Sequence, residues 1–306
     1  MHKFITFKKA KEYLRCLDLL TNDDGFKQKA THYSFVNTFL VREEDLESLS
    51  KLLGKRKFHV SQEVTVKLHA DQIPWGVEKI GAPKFWERTK GRGVKVAVID
   101  TGISTSHPDL KGQVKGRVTI LNKGRGYERI SGHGTHVAGT IAAVANDKGI
   151  VGVAPEVELY DIRTFGPDGT AKMSDIVAAI NWAIEHKMHV INMSFGTSES
   201  HPALESAIKR AAKAGIVMVA SAGNNGGAVE YPAAYKEVIA VGAVDQNDKL
   251  ADFSSRGRGL NTRAPGVKIK STWLKKSYRE LDGTSMAAAH VSGLQALMIA
   301  SKKAKK

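Results

Sequence analysis

The rhythm of apolar and polar positions changes near residue 70. Upstream, FITF (4–7) reads as a short strand and KKAKEYLRCLDLL (8–20) carries apolar residues at helical spacing. THYSFVNTFLV (31–41) alternates loosely and reads as a strand. REEDLESLSKLLG (42–54) is an amphipathic helix stopped by glycine, and KFHVSQEVTVKL (57–68) is again a strand. This pattern predicts a small α+β unit over residues 1–70. From residue 94 short apolar runs take over: VKVAVID (94–100), VELYDIRTF (157–165), HVINMSF (189–195), GIVMVASAG (215–223) and EVIAVGAV (237–244). Helical patterns lie between them at 173–187 and 201–215. Continuous apolar strands alternating with helices predict an α/β domain over 71–306, a mostly parallel sheet with helices on both faces. In such sheets function gathers at the C-terminal ends of the strands.

Composition narrows the function classes. The 306 residues are 42% hydrophobic and 25% charged, as in ordinary soluble proteins. No run approaches the roughly 18 apolar residues of a membrane span. The start, MHKFITFKKAKEYLRC, lacks an apolar core and a small-residue cleavage site. The expectation is therefore a cytoplasmic protein, or one exported by a non-standard route. The single cysteine, Cys16, excludes a disulfide within one chain. A net charge of +15 raises the question of nucleic acid. The lysines and arginines are scattered, however, and only the tail SKKAKK is a cluster. No aromatic–basic interleaving of the single-strand-binding kind occurs. Solubility and weak surface attraction account for the charge, so no nucleic-acid partner is expected.

Candidate chemistry lies beside glycines at strand ends. VKVAVIDTGI puts Asp100 at the end of a buried strand, and SGHGTHVAGTIAA puts His133 at the start of a small-residue helix. LDGTSMAAAHVSG puts Ser285 at or just inside the N-terminus of another helix, and SAGNNGG puts Asn224 past a further strand end. Ser285 has two readings there, a helix cap or a nucleophile, because a helix start stabilises negative charge. A nucleophilic serine needs a base, the base needs an orienting carboxylate, and the oxyanion needs donors. Each part alone is weak. Asp-Thr-Gly also occurs in aspartic proteases, but no second such motif is present for the paired carboxylate. His133 and His136 share a helix, yet H-G-T-H lacks the Glu of the H-E-x-x-H zinc motif. Ser285 is not in a G-x-S-x-G elbow.

Taken in order, VAVIDTGI, HGTHVAGTIAA, INMSFG, SAGN and GTSMA closely resemble the subtilisin-like serine proteases, over about residues 72 to 300. The resemblance implies a serine endopeptidase with protein and peptide substrates. Ser285 would be the nucleophile, His133 its base, Asp100 the orienter, and Asn224 with the Ser285 N–H the oxyanion hole. His136 and His290 would be structural. Residues 1–70 resemble the family's propeptide, a chaperone and inhibitor, with a junction in VKLHADQIPWGV and self-cleavage near His69, Ala70 or Asp71. A fixed accessory domain is the alternative.

The resemblance also implies calcium, held by Asp71, Asp109, the Asn146 side chain and the carbonyls of Val144, Lys148 and Ile150. All are oxygen ligands, as calcium requires. Extended substrate would pair with edges at Gly169-Thr170-Ala171 and Ser194-Phe195-Gly196. Met173 and Ile176 would either floor a pocket or belong to ordinary helix core. Glu230, before Tyr231-Pro232, stands where the family places the base of the pocket for the residue preceding the scissile bond. A carboxylate there favours Lys or Arg, unless the shortened loop turns it into solvent.

Two departures stand out. Ala289 replaces the family's usual proline, a mild change within a helix. The chain also ends at Lys306, soon after the serine helix, where family members usually continue with another helix and strand. The catalytic part is thus expected to be short at its C-terminus and to expose apolar surface or an unpaired edge. An inactive binding protein that keeps the protease fold remains the other class to separate from an enzyme.

Overall fold

The computed structural model describes residues 2–22, 29–54, 57–64, 70–121 and 131–303. The expected cleavage point at His69 and the tail residues 304–306 lie outside the described residues. Contacts group the chain into two units, Met1–Leu68 and His69–Lys306.

In the first unit β1 (His2–Phe7), α1 (Ala10–Asn22), β2 (Ala30–Tyr33), β3 (Thr38–Arg42), α2 (Leu46–Leu53) and β4 (Phe58–Gln62) follow one another. The strands form an antiparallel sheet in the order β2-β3-β1-β4. Alternation turns Ile5 and Phe7 of β1 inward, and helical spacing brings Tyr13, Cys16 and Leu20 of α1 onto them. The single strand expected over 31–41 is a hairpin. A 3₁₀ turn at Ser34–Val36 divides it, and Asn37 takes the left-handed conformation at φ 50°. Phe35 and Val36 at this tip are exposed, so they were never the buried face of a strand.

The second unit opens with α3 (Trp75–Lys79) and α4 (Ala82–Trp86). There follow β5 (Lys95–Asp100), β6 (Val114–Thr119), α5 (Gly132–Ala142), β7 (Glu158–Arg163), α6 (Met173–Glu185), β8 (Val190–Met193), α7 (Pro202–Lys213), β9 (Val217–Ser221) and β10 (Val238–Val244). It closes with β11 (Thr262–Pro265), β12 (Ile269–Thr272), β13 (Tyr278–Leu281) and α8 (Thr284–Lys303). A seven-stranded parallel sheet runs β11-β10-β9-β8-β5-β7-β6, and β12 pairs with β13 in a separate antiparallel hairpin.

Strand alternation builds two cores. Val96 and Val98 of β5 pack with Val137 and Ile141 of α5 and Met286 of α8, while Ala97 and Ile99 pack with Ile176 and Ile180 of α6 and Ile208 of α7. Each fully buried aliphatic side chain stabilises the fold by roughly 1.5–3 kcal/mol, so these two layers hold the sheet rigid behind its C-terminal edge. Ile176 is in the second core and Met173 packs against it, which makes both helix core rather than pocket floor. Among the described residues no helix is long and apolar enough to cross a membrane.

Candidate active site

Asp100 is the last residue of β5. It continues the Val96–Val98 face and therefore points toward α5. Its carboxylate is 4% exposed, and Oδ1 accepts the Thr101 N–H at 2.7 Å and the Thr101 hydroxyl at 3.1 Å. His133 is the second residue of α5, behind an N-cap at Ser131. Its Nδ1–H donates to both Asp100 oxygens at 2.9 Å. The approach requires a glycine next to the histidine: a Cβ on Gly134 would fall 2.6 Å from the Gly102 carbonyl oxygen. Burial alone would lower the pKa of His133. The charge of Asp100 and its hydrogen bond outweigh burial and hold it above the ordinary value of 6.5. With Nδ1 occupied, Nε2 is the basic atom.

Ser285 is the second residue of α8, where the first-turn N–H groups point out of the helical ladder. Its Oγ donates to the Ser194 carbonyl at 3.1 Å, and the Ser194 hydroxyl returns a bond to the Ser285 carbonyl at 3.1 Å. Among the described residues no hydrogen bond joins Ser285 Oγ to His133. Asn224 follows β9. Its Oδ1 accepts from the Thr284 N–H at 2.9 Å and the Thr284 hydroxyl at 2.8 Å, which fixes Nδ2 as the outward donor. A Cβ built on Gly283 would lie 3.7 Å from Asn224 Nδ2 and 3.8 Å from the Ser285 nitrogen, so the two donors flank one spot. A cleft of about 330 Å³ runs past Asp100, His133, Phe165, Gly169, Ser194, Phe195 and Gly196.

The Subtilase family pattern matches residues 91–305. This chain belongs to the subtilase family. It is 42% identical to M-protease of Shouchella clausii (strain KSM-K16) over 257 residues, 83% of this chain and 66% of that protein. To Subtilisin Savinase of Lederbergia lenta it is 45% identical over 231 residues, 75% of this chain and 85% of that protein. To the Major intracellular serine protease of Bacillus subtilis (strain 168) it is 44% identical over 243 residues, 76% of each chain.

Other residues singled out for a subtilase fall into three groups: the two expected substrate edges, Glu230, and the loop after α5. Ser194, Phe195 and Gly196 leave the end of β8 and line the cleft, where Phe195 tilts against Phe165 with centroids 5.0 Å apart. Gly169, Thr170 and Ala171 do not form the regular edge strand expected of them. They lie in a turn in which the Thr170 carbonyl accepts the Gly166 N–H at 2.9 Å and Asp168 binds both the N–H and the hydroxyl of Thr170. Glu230 does not turn into solvent. It is half-buried, and its Oε1 accepts from Asn225 Nδ2 at 2.9 Å. The carboxylate lies against Gly196 and Gly223: a Cβ on Gly196 would collide with Oε2, and one on Gly223 would lie 2.7 Å from Cδ.

The loop after α5 gathers the third group. Asp71 Oδ1 accepts the N–H groups of Asn146 at 3.2 Å and Lys148 at 3.1 Å. Asp109 is fully buried and accepts from Asn146 Nδ2 at 3.3 Å, the Ile150 N–H at 3.0 Å and the Tyr278 hydroxyl at 2.8 Å. A Cβ on Gly149 would fall 2.8 Å from Asp109 Oδ1, so a glycine keeps this cradle open. The two carboxylates and the amide of Asn146 bring side-chain oxygens to one loop, the donor type that a hard cation such as calcium takes. Among the described residues no cluster of three or more His, Cys, Asp or Glu side chains is placed to hold a metal.

His136 and His290 are fully buried and bonded to backbone carbonyls, not to a shared ligand. Sequence reasoning missed Thr101 and Thr284, which orient Asp100 and Asn224, and the Ser194 carbonyl as the partner of Ser285. Each sits next to a motif residue, and that adjacency was the available signal.

Proposed function

We propose that this chain is a serine endopeptidase that hydrolyses proteins and peptides through an acyl-enzyme on Ser285, and that it is made as a self-processing zymogen. The observation that carries the reading is the double hydrogen bond from His133 Nδ1 to Asp100, which leaves a basic Nε2 on the wall of the cleft. A substrate strand laid along Ser194–Gly196 donates an N–H to the Ser194 carbonyl and takes the acceptor that Ser285 Oγ uses now. The freed Oγ turns to His133 Nε2 and attacks the substrate carbonyl carbon as its proton passes to the imidazole. Asp100 stabilises the imidazolium. Asn224 Nδ2 and the Ser285 N–H donate to the oxyanion. The C–N bond then breaks, His133 returns the proton to the leaving amine, and water repeats the sequence on the ester.

Glu230, lying under Gly196 and Gly223, favours Lys or Arg before the scissile bond and disfavours Asp or Glu. Calcium, when bound by Asp71, Asp109, Asn146 and the three carbonyls, supplies positive charge that ties the loop after α5 to the start of the catalytic unit. It takes part in no chemical step. Residues 1–70 act as a propeptide, an intramolecular inhibitor removed near residues 69–71.

Two measurements on one preparation test the reading: hydrolysis of an unfolded protein such as casein, and the mass of the mature chain. The wild type loses about its first 70 residues and digests casein, whereas Ser285→Ala does neither. A wild type that keeps its N-terminus makes residues 1–70 a fixed accessory domain. Casein left intact by a processed wild type contradicts the endopeptidase.

A further inference from the structure

One ion pair, with a buried carboxylate and a half-exposed guanidinium, stands behind the Asp100 turn. Arg117 of β6 and Asp161 of β7 are direct partners in the parallel register, and Arg117 Nε donates to Asp161 Oδ2 at 2.7 Å. Both then grip one residue. The Ile103 N–H donates to Asp161 Oδ2 at 3.1 Å, and Arg117 Nη2 donates to the Ile103 carbonyl at 2.6 Å. Ile103 ends the stretch Asp100-Thr101-Gly102-Ile103 that leaves β5. The other side of that stretch is tied to α5, because Thr101 Oγ1 accepts the Gly134 N–H at 3.1 Å and the Ser104 N–H donates to Thr135 Oγ1 at 2.9 Å. The turn carrying Asp100 is thus held between the His133 helix and the Arg117–Asp161 pair.

The pair also carries charge toward the site. Asp161 pairs in register with Val98, and Asp100 pairs with Arg163, so alternation puts both carboxylates on the face toward α5. Asp161 is 2% exposed, and its Oδ1 has no hydrogen-bond partner among the described residues. Burial pushes the Asp161 carboxyl up, Arg117 and the Ile103 N–H pull it back, and the charge of Asp100 adds repulsion. The charged and titratable groups facing the Asp100–His133 couple are therefore Asp161 and Arg163 from β7, Arg117 from β6 and His136 from α5 itself. A second carboxylate so placed stabilises a charged imidazole as well, unless a cation cancels it.

We infer that Arg117 and Asp161 are positioning residues for catalysis: together they fix the turn that presents Asp100, and Arg117 cancels the Asp161 charge so that Asp100 alone sets the basicity of His133. The inference rests on the serine-protease reading for its consequence in turnover, but not for its effect on the histidine. Nothing in the motifs announces the pair, since its three partners come from three separate strands or strand ends.

The test follows the His133 imidazole by NMR titration in the full chain carrying Ser285→Ala, with the resonance assigned by its loss in His133→Ala. Arg117→Gln leaves the Asp161 charge uncancelled and moves the His133 midpoint up. Asp161→Asn leaves Arg117 unbalanced and moves it down. Each shift is about half a pH unit, the order expected for one charge acting across a partly buried site. The double variant returns to the wild-type midpoint. Arg117→Lys keeps the charge but loses the planar grip on Ile103, so it holds the midpoint while kcat falls several-fold at nearly constant KM in the active chain. It also serves if Arg117→Gln does not fold. Single variants that leave the midpoint in place, or that move it in the same direction, overturn the inference. A wild type without proteolytic activity overturns the endopeptidase reading and leaves the NMR result standing.

Discussion

His133 and His136 stand three residues apart on α5, and their surroundings separate chemistry from architecture. The His133 side chain is 32% exposed, bonded to a carboxylate and held above the ordinary histidine range. His136 has no exposure, and its Nε2–H is shared between the carbonyls of Ile269 at 2.9 Å and Arg279 at 3.0 Å. Burial pushes its pKa down to about 4, further than the two carbonyl bonds can restore. One ring can take a proton at neutral pH. The other stays neutral and pins the β12–β13 hairpin to α5. A half-exposed group with a charged partner is available for reaction, whereas a fully buried group held by backbone carbonyls through one nitrogen is part of the frame.

The largest break in this contrast is mutational. His133→Ala should lower kcat by about 10⁶, a magnitude taken from subtilisin itself rather than from this geometry, with little change in thermal midpoint. His136→Ala should do the reverse. Two carbonyls lose their donor, stability falls by roughly 2–4 kcal/mol, and the protein that remains folded keeps its turnover. Kinetics and thermal unfolding of the two variants, measured side by side, check both halves. Loss of turnover in folded His136→Ala would erase the distinction.

Next is acid. His136 and the fully buried His290 are both pushed down to about 4 from 6.5. As pH falls from 6.5 toward 4 the unfolded chain takes up protons that the native chain refuses, so stability drops by roughly 3 kcal/mol per histidine. His133 acts oppositely and higher: its contribution is complete below 6.5 and is lost as pH rises through its raised value. Denaturant unfolding at several pH values should show the loss, and His136→Gln should remove part of it.

The proposed reading puts Asp109 with the frame and Glu230 with substrate choice, which gives two smaller tests. Calcium at a hundredfold excess over Kd should add about 2.7 kcal/mol, read as a rise in thermal midpoint that a chelator reverses and Asp109→Ala abolishes. For Glu230, a peptide series varied only before the scissile bond should favour Lys or Arg over Leu by about tenfold to a hundredfold in kcat/KM, the equivalent of 1.5–3 kcal/mol for a charged hydrogen bond. Glu230→Gln should flatten the preference. Equal rates for Lys and Leu in the wild type would reassign the carboxylate to the frame.

The central strands were legible because both faces are buried. β5, β8, β9 and β10 read as nearly continuous apolar runs for that reason, and β7 does so despite its charged residues. The edge strand β6, VKGRVT, alternates between half-buried and exposed positions and carries Arg117, so its run is too polar to stand out. TRAP, IKST and YREL in β11, β12 and β13 are too short and polar to stand out either, although three of the four β12 positions are buried. Asp100, His133, Asn224 and Ser285 were legible as motif residues because each is enclosed by glycines and small residues that the backbone approach demands. Their long-range partners were not. The Ser194 carbonyl meets Ser285 across 91 residues, and Asp161 looks in sequence like an oddity inside an apolar strand. That oddity, together with Arg163 two positions on, was the one written sign of a charged cluster under the site.

Covalent labelling tests the central claim most directly. A fluorophosphonate reacts only with a serine activated by a neighbouring base, and peptide mass spectrometry locates the adduct. The account predicts one adduct per chain, on Ser285, absent in His133→Ala and strongly slowed in Asp100→Asn. An unlabelled wild type, or labelling of Ser285 that survives His133→Ala at the wild-type rate, would contradict it.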